Sequence, residues 1–161
     1  MSRIVPLKIK KLHPNAIIPK YEHDGDAGFD LYTLEDNLIP AKSTVVCPSG
    51  LAMAIPNGYE IQIRPRSGIS LKGLDVILEF NSKRKQGKVH VRVQLGTIDC
   101  QYRGDVGIIV TNESRYDITI PKGTKLAQAV LNEVPQAQFI EVDELDDTER
   151  GTSGFGSTGI K

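Results

Sequence analysis

Tryptophan is absent, cysteine occurs only twice and the net charge is zero, and each shortage removes a class of protein. Cys47 and Cys100 are too few for a disulfide framework or a four-cysteine zinc site, so a reducing, cytoplasmic setting is the expectation. Basic and acidic residues number 20 each. That balance leaves no basic excess for nucleic acid and no electrostatic pull towards an anionic membrane. No apolar run approaches the ~20 residues of a spanning helix. The opening MSRIVPLKIKKLHP lacks the long apolar stretch of a signal peptide. His13, His23 and His90 have no ligand-like spacing, and neither a G-x-S-x-G nor a Walker A pattern occurs. No internal repeat is visible.

What the 161 residues do hold is 39% hydrophobic content, enough for a globular core, together with 15 glycines and 9 prolines. Many turns and short apolar alternations point to an all-β chain. Tyr59, Ile61 and Ile63 alternate with polar residues, as do Val89, Val91, Val93 and Leu95, and again Tyr116, Ile118 and Ile120. Asp24-Gly25, Pro56-Asn57-Gly58, Gln86-Gly87 and Pro121-Lys122-Gly123 punctuate these runs as turns. Leu126–Glu133 fits a helix or a strand. A single helical turn is expected after Ser67. The reading is a compact β-barrel or jelly roll.

Three segments stand out from this background. Lys83–Arg92 carries five basic residues and no acid, and reads as a basic β-hairpin turning at Gln86-Gly87. It is either a solvated hairpin or a docking site for a protein partner. Glu141–Glu149 is acidic and offsets it. Arg150–Lys161 is rich in Gly, Ser and Thr, a composition that cannot bury a core and should stay mobile until something orders it. The expected division is a β domain over 1–149, with a basic insert at about 80–93, and a tail over 150–161.

Five short motifs could carry chemistry. Asp26-Ala27-Gly28-Phe29-Asp30-Leu31 offers two carboxylates to a hard cation such as Mg²⁺, or an Asx-type turn into a strand. In Pro65-Arg66-Ser67-Gly68, Ser67 could cap a helical turn whose N–H groups hold a phosphate. Gly96-Thr97-Ile98-Asp99-Cys100-Gln101-Tyr102-Arg103-Gly104-Asp105 places an acid, a tyrosine and an arginine between glycines. Asp99 could act as a general base and Tyr102 as a flat wall for a sugar or base, or the segment is a plain β-turn. Gly123–Gln128 reads as a turn and strand start, with Gln128 a polar reader. Gly154–Gly159 satisfies G-x-G-x-x-G, but a dinucleotide site needs a following helix and a later acid, and only two residues follow Gly159. A glycine loop lined by Arg150, Ser157 and Thr158 can still wrap an anion.

In this order, DAGFDL, PRSG, GTIDCQYRGD, KGTKLAQ and RGTSGFGSTG resemble the five motifs of the trimeric deoxyuridine triphosphatase (dUTPase) family, from about His23 to Gly159. The resemblance implies a distorted jelly roll and a homotrimer whose active sites draw on more than one subunit. It also implies hydrolysis of dUTP to dUMP and pyrophosphate with Mg²⁺. Asp99 would deprotonate the attacking water. Gly96, Thr97 and Ile98 would read uracil through the backbone, and Tyr102 would pack under the deoxyribose. Arg66, Ser67, Gly68 and Gln128 would hold phosphates, and Asp30 would touch the Mg²⁺ shell through water. Phe155 would stack on uracil, while Arg150, Gly156, Ser157 and Thr158 close over the γ-phosphate. The span from Pro65 to Gly96 is longer than the family's usual connection, and the excess is the basic segment.

Overall fold

The structure, a computed structural model, describes residues 4–80 and 82–154. Four small antiparallel sheets enclose one core. The first pairs β1 (Lys8–Lys11) with β5 (Leu51–Ala54). The second runs in the order β10 (Gly96–Ile98), β6 (Tyr59–Pro65), β13 (Lys125–Glu133), β2 (Phe29–Tyr32). The third is β4 (Thr44–Cys47), β11 (Ile108–Asn112), β9 (Val91–Val93). The fourth is β3 (Asn37–Ile39), β12 (Asp117–Ile120), β7 (Leu74–Phe80), β8 (Lys83–Val89). The helix α1 (Ser67–Lys72) follows β6 directly. The architecture is the nearly all-β, jelly-roll-like fold that the composition and alternation imply.

Alternation explains most of the burial. Ile61 and Ile63 of β6 and Ile108 and Val110 of β11 point inward, beside Leu31, Met53, Ile118 and Leu126. Burying each such side chain contributes about 1.5–3 kcal/mol. β13 is a central strand between β6 and β2, which settles the ambiguity of Leu126–Glu133. Leu126, Ala127, Ala129 and Val130 are all buried, and the register slips between Lys125 and Ala127. A bulge inserts an extra residue, so neighbouring apolar residues mimic helical spacing.

Two expectations are corrected. The basic hairpin does not turn at Gln86-Gly87, because these residues lie within β8, opposite Ile77 and Val76. The pairing instead runs to Phe80 opposite Lys83, and the Leu78 side chain lies over Gly87, so that glycine is a packing site. Nor do Val89, Val91, Val93 and Leu95 form one strand. Val89 ends β8 opposite Leu74, where β7 begins, so the ladder has no partner beyond it. The chain crosses at His90 into the third sheet, where Val91 and Val93 pair with β11, and Leu95 is left exposed.

Candidate functional site

The motif residues gather into two clusters at opposite ends of the β6–β10 pair. At one end β2, β13 and the start of α1 converge. Gln128 sits opposite Asp30 on one side and Arg64 on the other, and Arg66 follows Pro65 at the end of β6. Arg66 Nε lies 2.8 Å from Asp30 Oδ1, and its Nη1 donates to the Lys125 carbonyl. Lys125 Nζ is 3.0 Å from Asp30 Oδ2 and also bonds the Glu22 carboxylate. Glu22, Lys125, Asp30 and Arg66 thus form a chain of alternating charge. The Glu22 hydrogen bond, then that of Asp30, raises the Lys125 ammonium above its ordinary pKa. Lys125 in turn lowers the Glu22 carboxyl.

This chain edges a cavity of about 530 Å³, lined among others by Gly28, Asp30, Arg66, Ser67, Gly68 and Gln128. That size suits a small-molecule ligand. Gln128 Nε2 donates to the Pro65 carbonyl. A Cβ on Gly28 would come within 3.0 Å of Gln128 Oε1, so the glycine leaves room for that amide. Ser67 does not cap α1. It is the first helical residue, Arg66 holds the cap position, and no side chain caps the helix. The Ser67 hydroxyl is therefore exposed at the cavity instead of being spent on the backbone.

At the other end, β10 pairs only with β6 among the described residues, as an end strand with one side of its backbone open. Asp99 follows it in a turn closed by the Tyr102 N–H to the Asp99 carbonyl, 3.0 Å. Arg103 Nη1 braces the turn by donating to the carbonyls of Cys100 and Tyr102. Asp105 anchors it to the core, accepting bonds from the N–H groups of Ser49 and Gly50 and from the Ser49 hydroxyl. Tyr102 is 46% exposed and donates its hydroxyl proton to the Asp105 carbonyl, which fixes its ring. The Asp99 carboxylate is exposed and has no partner among the described residues. Asp99 and Tyr102 line a second cavity of about 790 Å³ with Asn57, Glu60, Val134 and Gln136.

Glu60, beside Asp99, and Arg66 are six positions apart along β6 and its end. At ~3.3 Å per residue the two clusters stand about 20 Å apart. The motifs are thus brought together in two groups, not one. Arg150 lies in neither: its Nε donates to the Ser153 carbonyl in an exposed turn. Phe155, Gly156, Ser157 and Thr158 lie outside the described residues. Motif reading assigned no role to Glu22, Lys125 or Asp105. Lys125 and Asp105 lie inside recognised motifs, whereas Glu22 is 103 positions from its partner and has no local signal. Among the described residues no three His, Cys, Asp or Glu side chains gather to hold a metal ion. Both Asp30 oxygens already face cations.

Comparison with known proteins follows the same residues. A family model described as dUTPase matches residues 14–159. The deoxyuridine 5'-triphosphate nucleotidohydrolase of Helicobacter hepaticus is 43% identical over 160 residues, covering 99% of this chain and 92% of the relative. That of a Picosynechococcus strain is 45% identical over 153 residues, covering 95% and 98%. Among solved structures, the Staphylococcus bacteriophage 80alpha dUTPase with dUpNHpp aligns with a TM-score of 0.80 at 26% identity, covering 96% of this chain and 99% of that one. A mutant dUTPase of phage phi11 of S. aureus, described as coordinating a structural Mg(II) ion, aligns with a TM-score of 0.72 at 25% identity, covering 87% and 98%.

Proposed function

The chain belongs to the dUTPase family and is by that membership a dUTP diphosphatase, and we propose that it works as a homotrimer with shared active sites. Water attacks the α-phosphorus, pyrophosphate leaves and dUMP remains. The observation that carries the assignment of roles is the Asp99 carboxylate at the open edge of β10, without a partner among the described residues. A carboxylate bound to nothing else is available to take a proton from water. The free backbone edge of Gly96, Thr97 and Ile98 can exchange hydrogen bonds with the uracil edge, and Tyr102 offers its ring to the deoxyribose.

Arg66, Ser67, Gly68 and Gln128 hold the phosphate chain in the other cavity. Phosphoryl-centre hydrolysis asks chiefly for positioning and charge neutralisation, which suits a cradle of this kind. A water attacking the α-phosphorus cannot be served by Asp99 of the same chain about 20 Å away. Completion therefore falls to a neighbouring copy. The segment after β13 supports this, since Phe139 and Leu145 stand 94% and 85% exposed on the single chain. Apolar surface of that kind marks an interaction site. Arg150, Phe155, Gly156, Ser157 and Thr158, in the tail over 150–161, close over the bound nucleotide.

Mg²⁺ is the cofactor of this reading. The donor set fits a metal that arrives on the triphosphate and keeps its waters, because Asp30 is committed to Arg66 and Lys125 and can reach only its water shell. When bound, the ion supplies charge neutralisation of the phosphates. The reaction keeps uracil out of DNA and supplies dUMP for dTMP synthesis, and its place is the cytoplasm. Among the described residues no helix is long and apolar enough to cross a membrane. A protein partner on Lys83–Arg92 has no observation in its favour and forms no part of the proposal.

Pyrophosphate release from dUTP, dTTP, dCTP and UTP tests the reading. dUTP alone should be turned over efficiently. Equal rates on all four would refute uracil and deoxyribose selection, and ammonia from dCTP would indicate a deaminase.

A further inference from the structure

Resting on the dUTP reading above, we propose that Lys88, carried by the basic hairpin, is a further phosphate-binding residue that holds the outer phosphates of the nucleotide. Lys88 lines the same cavity as Arg66, Ser67 and Gln128, together with Lys72 and Gly73. The fold places it there by design of the α1–β7 junction. Gly73 ends α1 with φ +80°, and a Cβ on it would sit 2.8 Å from the Val89 carbonyl oxygen and 3.2 Å from Lys88 Cγ. Only a residue without a side chain lets the hairpin's last residues close against the helix, and that closure brings the Lys88 stem to the cavity rim.

Charge balance assigns it a task. The Arg66 charge is matched by Asp30 and that of Lys125 by Glu22 and Asp30. A triphosphate therefore meets Arg66 already neutralised, and the lysines that line the cavity with it are Lys72 and Lys88. Lys88 faces Asp75 at 3.0 Å, but Asp75 is 85% and Lys88 52% exposed. An ion pair that open to water contributes little and exchanges readily for a better partner. A phosphate oxygen between two cavity walls is such a partner. The basic segment is thus explained by position: its innermost lysine belongs to the phosphate cavity, while Lys83, Arg84 and Lys85 lie beyond it on β8.

Calorimetric binding of inorganic tripolyphosphate and dUTP kinetics on the full-length protein test this. Lys88→Gln should weaken tripolyphosphate and raise KM for dUTP by about tenfold each, the range for a hydrogen bond to a charged group. Its affinity for dUMP should stay within about twofold of the parent, and Lys88→Arg should recover most of the loss, which guards against misfolding. Lys85→Gln on the same hairpin should behave as the parent. Unchanged tripolyphosphate binding in Lys88→Gln, or an equal loss in Lys85→Gln, overturns the proposal. So does an absence of tripolyphosphate binding by the parent protein. Failure of the parent to hydrolyse dUTP instead sinks the underlying reading, since tripolyphosphate reports on the cations without the nucleoside.

Discussion

Asp105→Ala should loosen both the fold and the Asp99 turn, and its size can be worked from the contacts. The Asp105 carboxylate accepts the N–H groups of Ser49 and Gly50 at 3.0 Å and the Ser49 hydroxyl at 3.2 Å. Ser49 is 2% exposed and Gly50 is buried, so alanine leaves two interior N–H groups unpaired. Each such orphan costs about 1–3 kcal/mol. Asp105 is only half-buried, so entering water offsets part of this and a total near ~3 kcal/mol is expected. For a chain of this length that corresponds to a melting shift of about 6–12 °C. Asp105→Asn keeps one oxygen acceptor and should lose about half as much. Scans at one fixed protein concentration give the comparison, because assembly makes melting concentration-dependent. Tyr102 bonds the Asp105 carbonyl, so kcat/KM for dUTP should also fall by about tenfold where both variants are folded. A melting point within about 2 °C of the parent for alanine, or a larger loss for asparagine, would refute the reasoning.

Asp99→Asn should cut kcat for dUTP by about 10²–10⁴ while binding of dUpNHpp persists, and normal turnover would remove Asp99 from its role. Gly28→Ala would drive a Cβ to 3.0 Å from Gln128 Oε1 and 3.2 Å from the Ala129 carbonyl oxygen. Displacing that amide should raise KM for dUTP by about fivefold with kcat little changed, and an unmoved KM counts against Gln128 as a phosphate contact. Burial pushes the Cys47 thiol up to about 12 from its ordinary 9.0. The unfolded chain gives up this proton near pH 9 and the folded one near 12, so stability holds below the first value and declines between them. Iodoacetamide at about pH 8 should therefore modify Cys100 alone in the native protein, and a second adduct by mass spectrometry would contradict this.

Sequence patterning was most legible where a strand has one wet face. β6 alternates as read, because Ile61 and Ile63 are buried while their neighbours are not. It was least legible where register depends on a distant partner. Nothing local tells that β8 stops at Val89; the stop is set by Leu74, at the start of the opposing strand. Gln86-Gly87 has turn chemistry, yet Leu78 needs the space over that glycine. At the site, the motifs named Asp30, Arg66, Asp99 and Gln128, but a linear string cannot say which of them share a cavity. Antiparallel pairing puts Asp30 beside Gln128, although nearly a hundred residues separate them, and leaves Asp99 at the far end of β6.

That separation bears on how the chain's net charge of zero should be understood. Around the phosphate cavity, Glu22, Lys125, Asp30 and Arg66 cancel in sequence, so Arg66 is aimed by its neighbours before any ligand arrives. Removing one member strands the next, so on the proposed roles Asp30 would act on phosphate recognition through Arg66, which it pairs. Away from this chain the charges are sorted by segment, basic on the hairpin beside the cavity and acidic on Glu141–Glu149, whose residues are all exposed. On the proposed roles, a polyanionic substrate meets this basic hairpin through Lys88, which lines the cavity. Local sorting of this kind matters because Coulomb forces between exposed charges fade beyond about 8–10 Å.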